Sequence, residues 1–176
     1  MVEHLQPPGG GDQVVLVPYD EAWPRLFTDQ ERRIREALGD AALEVHHAGS
    51  TSVPGLTAKP VIDIVLVVPD AVDEPAYVPG LEAAGYVFHI REPEWHQHRL
   101  FREDAPRVNL HVYGKNCAEV TRMVAFRHHL RRDASDRALY QSAKLRLAEQ
   151  RWVRVQDYAD AKTDVVLDIM RRALPS

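Results

Sequence analysis

The feature that most constrains the fold is the run PVIDIVLVV at residues 60–68. The run is continuous and rich in β-branched residues, a pattern typical of a strand that is buried on both faces. Alternation along a strand places Asp63, Val65 and Val67 on one face. A lone carboxylate in such a strand costs several kcal/mol unless it is paired, hydrogen-bonded or bound to a metal. We therefore expect layers of structure on both sides of this strand and a partner for Asp63.

The rest of the pattern predicts an α+β fold. A helix is predicted from Asp20, a good N-cap, to Leu38, where Gly39 ends it. Further strands are predicted at 13–18, 42–48, 86–91, 98–103 and 107–113. Apolar residues at helical spacing predict a short helix within 75–85 and longer ones at 117–132, about 135–150 and 155–174. We predict a flexible N-terminal tail at 1–12 and a single domain at 13–176, with a helical region at about 117–174.

Composition excludes several classes of protein. The single cysteine, Cys117, excludes a disulfide framework and a cysteine-rich metal site, and it favours the cytoplasm. The chain shows neither a membrane span nor a signal peptide, and its net charge of −4 argues against a duplex-DNA partner. Residues 63–94 carry seven acids and one base, whereas residues 122–154 carry nine bases and three acids. These segments could line a cleft for a metal and a polyphosphate, or they could be two solvated faces.

A loop of small residues precedes the buried strand. Gly49 can adopt a positive φ and let the backbone approach a ligand closely. Hydroxyl groups beside a run of backbone N–H groups can cradle phosphate oxygens, and here they belong to Ser50, Thr51 and Ser52. Lys59 follows the loop, where it could contact a phosphate or lie solvated at the start of the strand.

The longer string HAGSTSVPGLTAKPVIDI, at 47–64, resembles the signature segment of the GrpB-like family. Similar matches run from about residue 17 to 172 and include PYDEAWPRLFTDQE, HRLF, NLHVY and YADAK. The family is usually assigned to the nucleotidyltransferase superfamily of DNA polymerase β. The resemblance implies a mixed β-sheet flanked by helices, with a C-terminal helical region. It also implies transfer of a nucleotidyl group from a nucleoside triphosphate to a small acceptor.

In that superfamily a Gly-Ser turn precedes a strand reading Asp-x-Asp or Asp-x-Glu, whose carboxylates hold Mg²⁺. Here Val65 stands at the second carboxylate position, and the later strand RVNLHVY offers Asn109 and His111 on one face. Three interpretations stay open. One metal could be held by Asp63 and His111, Asp63 could act as a general base, or a nucleotide or coenzyme could be bound without transfer.

Basic residues supply further candidates. Lys144 lies four residues after Tyr140, and Lys162 lies four residues after Tyr158, so each pair shares a helix face. These lysines could reach a triphosphate or simply lie along a packed tyrosine. Arg99 is a candidate clamp for a phosphate or carboxylate.

The histidines suggest a different chemistry. His96, His98 and His111 could form a three-histidine zinc site of a metal-dependent hydrolase, or they could lie in a polar loop and an edge strand. His46 and His47 precede the loop, and one of them must point inward. The expected partners are a nucleoside triphosphate and a small-molecule acceptor, without a membrane, and the oligomeric state is unknown.

Overall fold

In the computed structural model, the described residues are 1–6, 14–150, 152 and 155–174. The strands are β1 Glu3–His4, β2 Glu44–Ala48, β3 Ile62–Val68, β4 Val87–Glu92, β5 His98–Asp104 and β6 Arg107–Gly114. The α-helices are α1 Trp23–Leu38, α2 Val78–Ala83, α3 Ala118–Arg132, α4 Ala134–Ala148, α5 Val155–Asp160 and α6 Thr163–Ala173.

The strands of the described residues form one mixed sheet in the order β1-β4-β5-β6-β3-β2. Strand β3 pairs parallel with β6 and antiparallel with β2, which makes it an inner strand. Its residues Ile64, Val65 and Leu66 are fully buried. The predicted doubly buried strand is therefore confirmed, and so is the α+β fold with a helical last third.

Each face of the sheet has its own apolar layer. Ile64 and Leu66 of β3 belong to a cluster that also contains residues of α1 and α2, so we name this side the α1–α2 face. Val65 and Val67 pack with Val120 of α3, and we name this side the α3 face. Because side chains alternate along β3, Asp63 lies on the α3 face.

A third apolar cluster joins the C-terminal helices to the loop that follows Gly49. It contains Leu130 of α3, Tyr140 of α4 and Ile169 of α6, packed with Val53 and Leu56 of the loop. The helical region therefore lies against the loop that precedes β3.

Two predicted elements are wrong in part. Over 14–18 the predicted strand is only a single bridge between Val17 and Ala58, because Val17 packs into the α1–α2 cluster without joining the sheet. The predicted helix at 155–174 is interrupted between Asp160 and Thr163, which places Lys162 at the N-terminus of α6. The predicted stop of α1 is confirmed, since Gly39 caps its C-terminus with φ +53°.

The N-terminal segment is described only in part. Glu3 and His4 pair with Arg91 and Ile90 of β4, and residues 7–12 of the predicted tail lie outside the described residues. Over the described ranges, no helix has both the length and the apolar character needed to cross a membrane.

Arg99 lies on the α1–α2 face, where two arginines share one carboxylate. Its Nε donates to Oε1 of Glu74 at 2.6 Å, and Arg91 donates to both oxygens of Glu74 at 2.6 Å. Arg91 and then Arg99 hold the pKa of Glu74 below its ordinary value, against the effect of burial. The structure therefore does not bring Arg99 to Asp63, because the two side chains lie on opposite faces of the sheet.

We expect Glu74→Gln to lower the free energy of unfolding by about 3 kcal/mol, because it leaves the buried Arg99 without its carboxylate. Urea unfolding measures the change. Glu82→Gln, at an exposed position of α2, is the matched control and should change little. Equal losses in the two variants would contradict a structural role for this ion-pair network.

Candidate functional site

The turn after β2 lies directly against Asp63. Gly49 has φ +64°, in the left-handed region that favours glycine. A β-carbon at Gly49 would lie 2.3 Å from Oδ2 of Asp63, closer than any real contact. Residues Ser50–Ser52 then form a single 3₁₀ turn. Glycine at this position therefore lets the turn close over the carboxylate.

Two of the three hydroxyl groups in this turn hold the loop itself. Thr51 Oγ1 donates to the carbonyl oxygen of Val61 at 3.1 Å, and Ser52 Oγ donates to that of Gly49 at 2.6 Å. Both side chains are buried. Of the predicted phosphate-binding hydroxyls, Ser50 is thus the one that is not committed to a carbonyl of the loop.

His47 belongs to the support of the turn. Its ring stacks on Phe27 at 4.8 Å, and its Nε2 lies 3.0 Å from Thr51 Oγ1. Because the Thr51 proton is already donated, His47 Nε2 must be the donor in this bond. Burial lowers the pKa of His47 to about 4, so the ring is neutral near neutral pH. Its neighbour His46 instead contacts Glu44 at 2.7 Å.

Asp63 has polar partners on the neighbouring strand β6. Its Oδ1 accepts a hydrogen bond of 2.9 Å from Nδ2 of Asn109 and lies 3.9 Å from Nε2 of His111. Burial opposes ionisation, but His111, Asn109 and the charge of Lys162 together hold the pKa of Asp63 below its ordinary value. The side chain keeps 29% of its surface exposed. An ionised and partly accessible carboxylate therefore faces the turn.

Lys144 reaches the same turn from α4. Its Nζ lies 3.0 Å from Ser50 Oγ and also donates to the carbonyl oxygen of Thr57. The side chain is 2% exposed, and Nζ lies 4.9 Å from the ring centre of Tyr140. Burial, with a contribution from the charge of Lys162, lowers the pKa of Lys144 to about 7.

Lys162 lies between α5 and α6, with Nζ 4.5 Å from the ring centre of Tyr158. Burial lowers the pKa of Lys162 to about 8; Asp63 opposes this shift and Lys59 adds to it. Each lysine therefore lies over the tyrosine four residues before it. Lys144 also contacts the turn, and Lys162 interacts with the charge of Asp63. A cavity of about 270 Å³ opens beside Lys162, and its lining includes Arg122, Tyr140 and Thr163.

A chain of polar contacts crosses the α3 face from β4 to β6. His98 Nδ1 lies 2.6 Å from Oε2 of Glu92, and His98 Nε2 lies 3.0 Å from Nδ1 of His111. The ring of His98 also stacks on Tyr113 at 4.9 Å. Burial, followed by the charge of His111, lowers the pKa of His98 to about 3, so this ring is neutral.

The structure does not assemble the predicted three-histidine site. His96 lies in the turn before β5, with φ +53°, and lines a separate cavity of about 620 Å³. That cavity includes Pro69 and Gly114, at the opposite ends of β3 and β6 from Asp63. His96 and His98 would share a face only if both lay in one strand, but residue 96 is in the turn and β5 begins at His98.

Elsewhere in the described part of the chain, His129, Asp133 and Asp136 are the group of three placed closely enough to hold a metal. Asp136 already accepts from Arg172 at 2.8 and 2.7 Å and contacts His129 at 2.6 Å. The carboxylate is thereby paired, and the arrangement ties α6 to the start of α4.

Two arginines of α3 hold the turn through its carbonyl groups. Arg127 donates to the carbonyl oxygen of His47 at 2.7 Å, and Arg131 donates twice to that of Ser52, at 2.9 and 2.7 Å. Neither arginine is among the candidate residues given above. No local signal identifies them, since their partners are about 80 residues away.

The structure thus brings together Gly49, Ser50, Asp63, His111, Lys144 and Lys162 from the predicted set. Glu92 was missed, because only the register of β4 with β5 shows that it lies opposite His98.

Comparison with known proteins covers nearly the whole chain. Residues 13–172 match the family described as GrpB protein. A UPF0157 protein of Halalkalibacterium halodurans is 52% identical over 160 residues, which cover 91% of this chain and 82% of that protein. A UPF0157 protein of Streptomyces coelicolor is 48% identical, covering 92% of this chain and 84% of that protein. The crystal structure of the conserved protein GrpB from Enterococcus faecalis matches with a TM-score of 0.78 at 27% identity, covering 90% of this chain and 96% of that one.

We expect Gly49→Ala to lower the free energy of unfolding by about 3 kcal/mol, combining the strain of a positive φ with a clash against Asp63. Gly55→Ala is the matched control, because Gly55 has φ +77° but open space around it. The control should show the strain alone, about 1–2 kcal/mol. Urea unfolding of both variants measures the difference, and equal losses would mean that the contact with Asp63 does not constrain the turn.

Proposed function

We propose that this chain, which belongs to the GrpB family, binds a nucleoside triphosphate and transfers a nucleotidyl group to a small-molecule acceptor. The observation that carries the proposal is the convergence of four groups at one end of β3. These are the Gly49–Ser50 turn, the ionised carboxylate of Asp63, and the amines of Lys144 and Lys162.

The turn supports phosphate binding. The N–H of Ser52 donates to the carbonyl oxygen of Gly49, so the earlier N–H groups of the turn, those of Ser50 and Thr51, are the ones suited to phosphate oxygens. Ser50 adds a hydroxyl, and Lys144 adds an amine 3.0 Å from that hydroxyl. Thr51 and Ser52 contribute by holding the turn in shape, because their hydroxyls are bound to carbonyl groups.

The lysines support a polyanion rather than a neutral ligand. Both have lowered pKa values because their charged forms are poorly solvated in the folded chain. A phosphate group placed between them would supply the missing negative charge and restore their protonated forms. Lys59 acts on the same electrostatic environment through its effect on Lys162.

Asp63 is the group that would hold a divalent cation against the phosphates. The family resemblance predicts Mg²⁺, which binds through one or two carboxylates together with substrate phosphates. Asp63 supplies one carboxylate, whereas Val65 is buried beneath α3 and supplies none. Such a cation would neutralise charge on the phosphates. His111, 3.9 Å from Asp63, offers a nitrogen, a ligand less suited to Mg²⁺.

In the proposed reaction, a hydroxyl group of the acceptor attacks the α-phosphorus, forms the new P–O bond and displaces pyrophosphate, with its proton released to solvent. The cavity of about 270 Å³ beside Lys162 lies below the usual volume of a drug-sized ligand site. It therefore suits part of the nucleotide or a small acceptor. As the single cysteine predicts, we place this reaction in the cytoplasm.

A second function is nucleotide or coenzyme binding without transfer. One observation favours it: the apolar Val65 stands where the superfamily pattern has its second carboxylate. In that case the turn and the lysines would act as a sensor site.

We expect ATP to bind the wild-type chain more tightly with Mg²⁺ than without it. Lys144→Met should weaken binding at least about tenfold, because it removes a charged partner of the phosphates. Calorimetric titration with ATP and the other nucleoside triphosphates measures both effects. Lys115→Met is the matched control, since Lys115 lines the separate cavity.

Asp63→Asn separates the two functions. If the chain transfers nucleotidyl groups, this variant should bind ATP equally well with and without Mg²⁺, and it should no longer release pyrophosphate. Binding that ignores Mg²⁺ and survives the substitution would support the sensor instead. Equal weakening by Lys144→Met and Lys115→Met would contradict both functions.

The affinity for triphosphate should fall as pH rises from about 6 to 9, because Lys144 and then Lys162 lose the protons that binding requires. Bound phosphate raises both pKa values, so binding takes up protons in this range and affinity falls by at most about tenfold per pH unit for each proton. Calorimetry in buffers of different ionisation enthalpy counts the protons. Triphosphate binding to the Lys144→Met variant should take up fewer protons than binding to the wild type. An unchanged number of protons would contradict the proposed contact between Lys144 and the phosphates.

A further inference from the structure

The polar chain on the α3 face ends at Asp63, and its hydrogen bonds determine which nitrogen of His111 faces that carboxylate. Glu92 on β4, His98 on β5, His111 on β6 and Asp63 on β3 come from four consecutive strands of the sheet. Their successive separations are 2.6, 3.0 and 3.9 Å. The first two are hydrogen bonds, and the third is too long to be one.

The direction of these bonds follows from the first residue. Burial raises the pKa of Glu92. In its ionised form the Glu92 carboxylate only accepts, so Nδ1 of His98 then carries the proton in their hydrogen bond. A neutral His98 then has its lone pair on Nε2, which accepts from Nδ1–H of His111. In neutral His111, the form that can ligate a metal, the remaining lone pair is therefore on Nε2, the atom that faces Oδ1 of Asp63. Two electron-rich atoms face each other there, which favours a cation between them.

We propose that His111 Nε2 and Asp63 Oδ1 together bind one divalent transition-metal ion, such as Mn²⁺, Co²⁺ or Zn²⁺, in preference to Mg²⁺. Glu92 and His98 are positioning residues that present His111 to this ion. A histidine that ligates a metal usually donates its other N–H to a further partner, and here that partner is His98 backed by Glu92. The proposal rests on the location of the site proposed above.

The geometry suits this assignment. Metal–ligand bonds of about 2.0–2.2 Å at tetrahedral angles place two ligands about 3.3–3.6 Å apart. The present separation of 3.9 Å therefore needs only a small closing movement. Imidazole nitrogen suits transition metals, whereas Mg²⁺ requires oxygen ligands. Asn109, which donates to Asp63 through Nδ2, has a carbonyl oxygen that is a further potential ligand.

Lys162 is the group that opposes metal binding, because its charge acts on Asp63. We therefore expect Lys162→Met to tighten metal binding in the absence of nucleotide, while it weakens triphosphate binding. A phosphate that engages Lys162 would reduce the same competition, so a nucleotide should also strengthen metal binding.

The test is a titration of the full chain, freed of metal by a chelator, with Co²⁺ as the probe. The visible absorption of bound Co²⁺ reports its ligands, and competition with Mg²⁺ and Zn²⁺ gives relative affinities. We expect one bound Co²⁺ per chain, displaced by Zn²⁺ and not by Mg²⁺ at similar concentration. A site that Mg²⁺ occupies as tightly as Co²⁺ would overturn the proposal.

Variants locate the ion. His111→Gln should abolish the preference for Co²⁺ over Mg²⁺, and Glu92→Gln and His98→Gln should each weaken Co²⁺ binding by about 10–100-fold. His96→Gln is the matched control for His98, and it should change nothing because His96 lies outside the polar chain. His129→Gln controls for the other metal-compatible group. Loss of the Co²⁺ signal in His129→Gln, with its retention in His111→Gln, would overturn the assignment.

The positioning role has its own readout. The long-range ¹H–¹⁵N spectrum of the metal-free chain should show His111 protonated at Nδ1, and Glu92→Gln should disturb that tautomer while the unfolding midpoint stays close to that of the wild type. If His98→Gln fails to fold, Glu92→Gln alone tests whether the hydrogen bonds position His111. A His111 tautomer protonated at Nε2 would refute the proposed direction of the hydrogen bonds.

The two proposals can fail separately. Metal titrations without nucleotide test this inference, whereas the loss of triphosphate binding in Lys144→Met tests the proposed function. A chain that binds triphosphate through Lys144 but shows no preference for Co²⁺ over Mg²⁺ would refute the metal assignment alone.

Discussion

The ionised carboxylate of Asp63 is the constraint on which the rest of the site depends. Burial in an inner strand opposes its charge, and Asn109, His111 and Lys162 compensate for it. Two of these partners come from β6, and the third comes from the turn between α5 and α6. Stabilising one charge therefore requires β3, β6 and the C-terminal helices to meet at a single place. Gly49 completes the arrangement, since only a residue without a side chain fits against the carboxylate.

The two faces of the sheet use charge in different ways. On the α1–α2 face, Arg91 and Arg99 both pair with Glu74, Arg91 also pairs with Glu3, and the network stabilises the fold. On the α3 face, His98 continues a polar chain that reaches Asp63. His98 and Arg99 are neighbours in sequence but serve these different networks, because a strand alternates its side chains. Two residues that are adjacent in sequence can therefore have different roles, and the face of the sheet on which each side chain lies decides which role it has.

Support of the turn is separate from the chemistry that the turn offers. Thr51, Ser52, Arg127 and Arg131 hold its backbone, whereas Ser50 and Lys144 present polar groups beside it. This division gives the site a loop held by several hydrogen bonds, together with amines whose pKa values are lowered by burial. Groups with shifted pKa values tend to cluster at functional sites, which supports the choice of this region as the candidate site.

The sequence by itself determined the elements whose signals are local. The buried strand at 60–68, the stop at Gly39 and the strands at 98–103 and 107–113 follow from hydrophobic pattern and turn chemistry, which neighbouring residues set. The resemblance identified the family and the turn beside Asp63. Only the tertiary structure decided that 14–18 stays out of the sheet, that Lys162 lies between two helices, and that Glu92 backs His98. These outcomes depend on strand register and on hydrogen-bond partners far away in the chain, which no local pattern encodes.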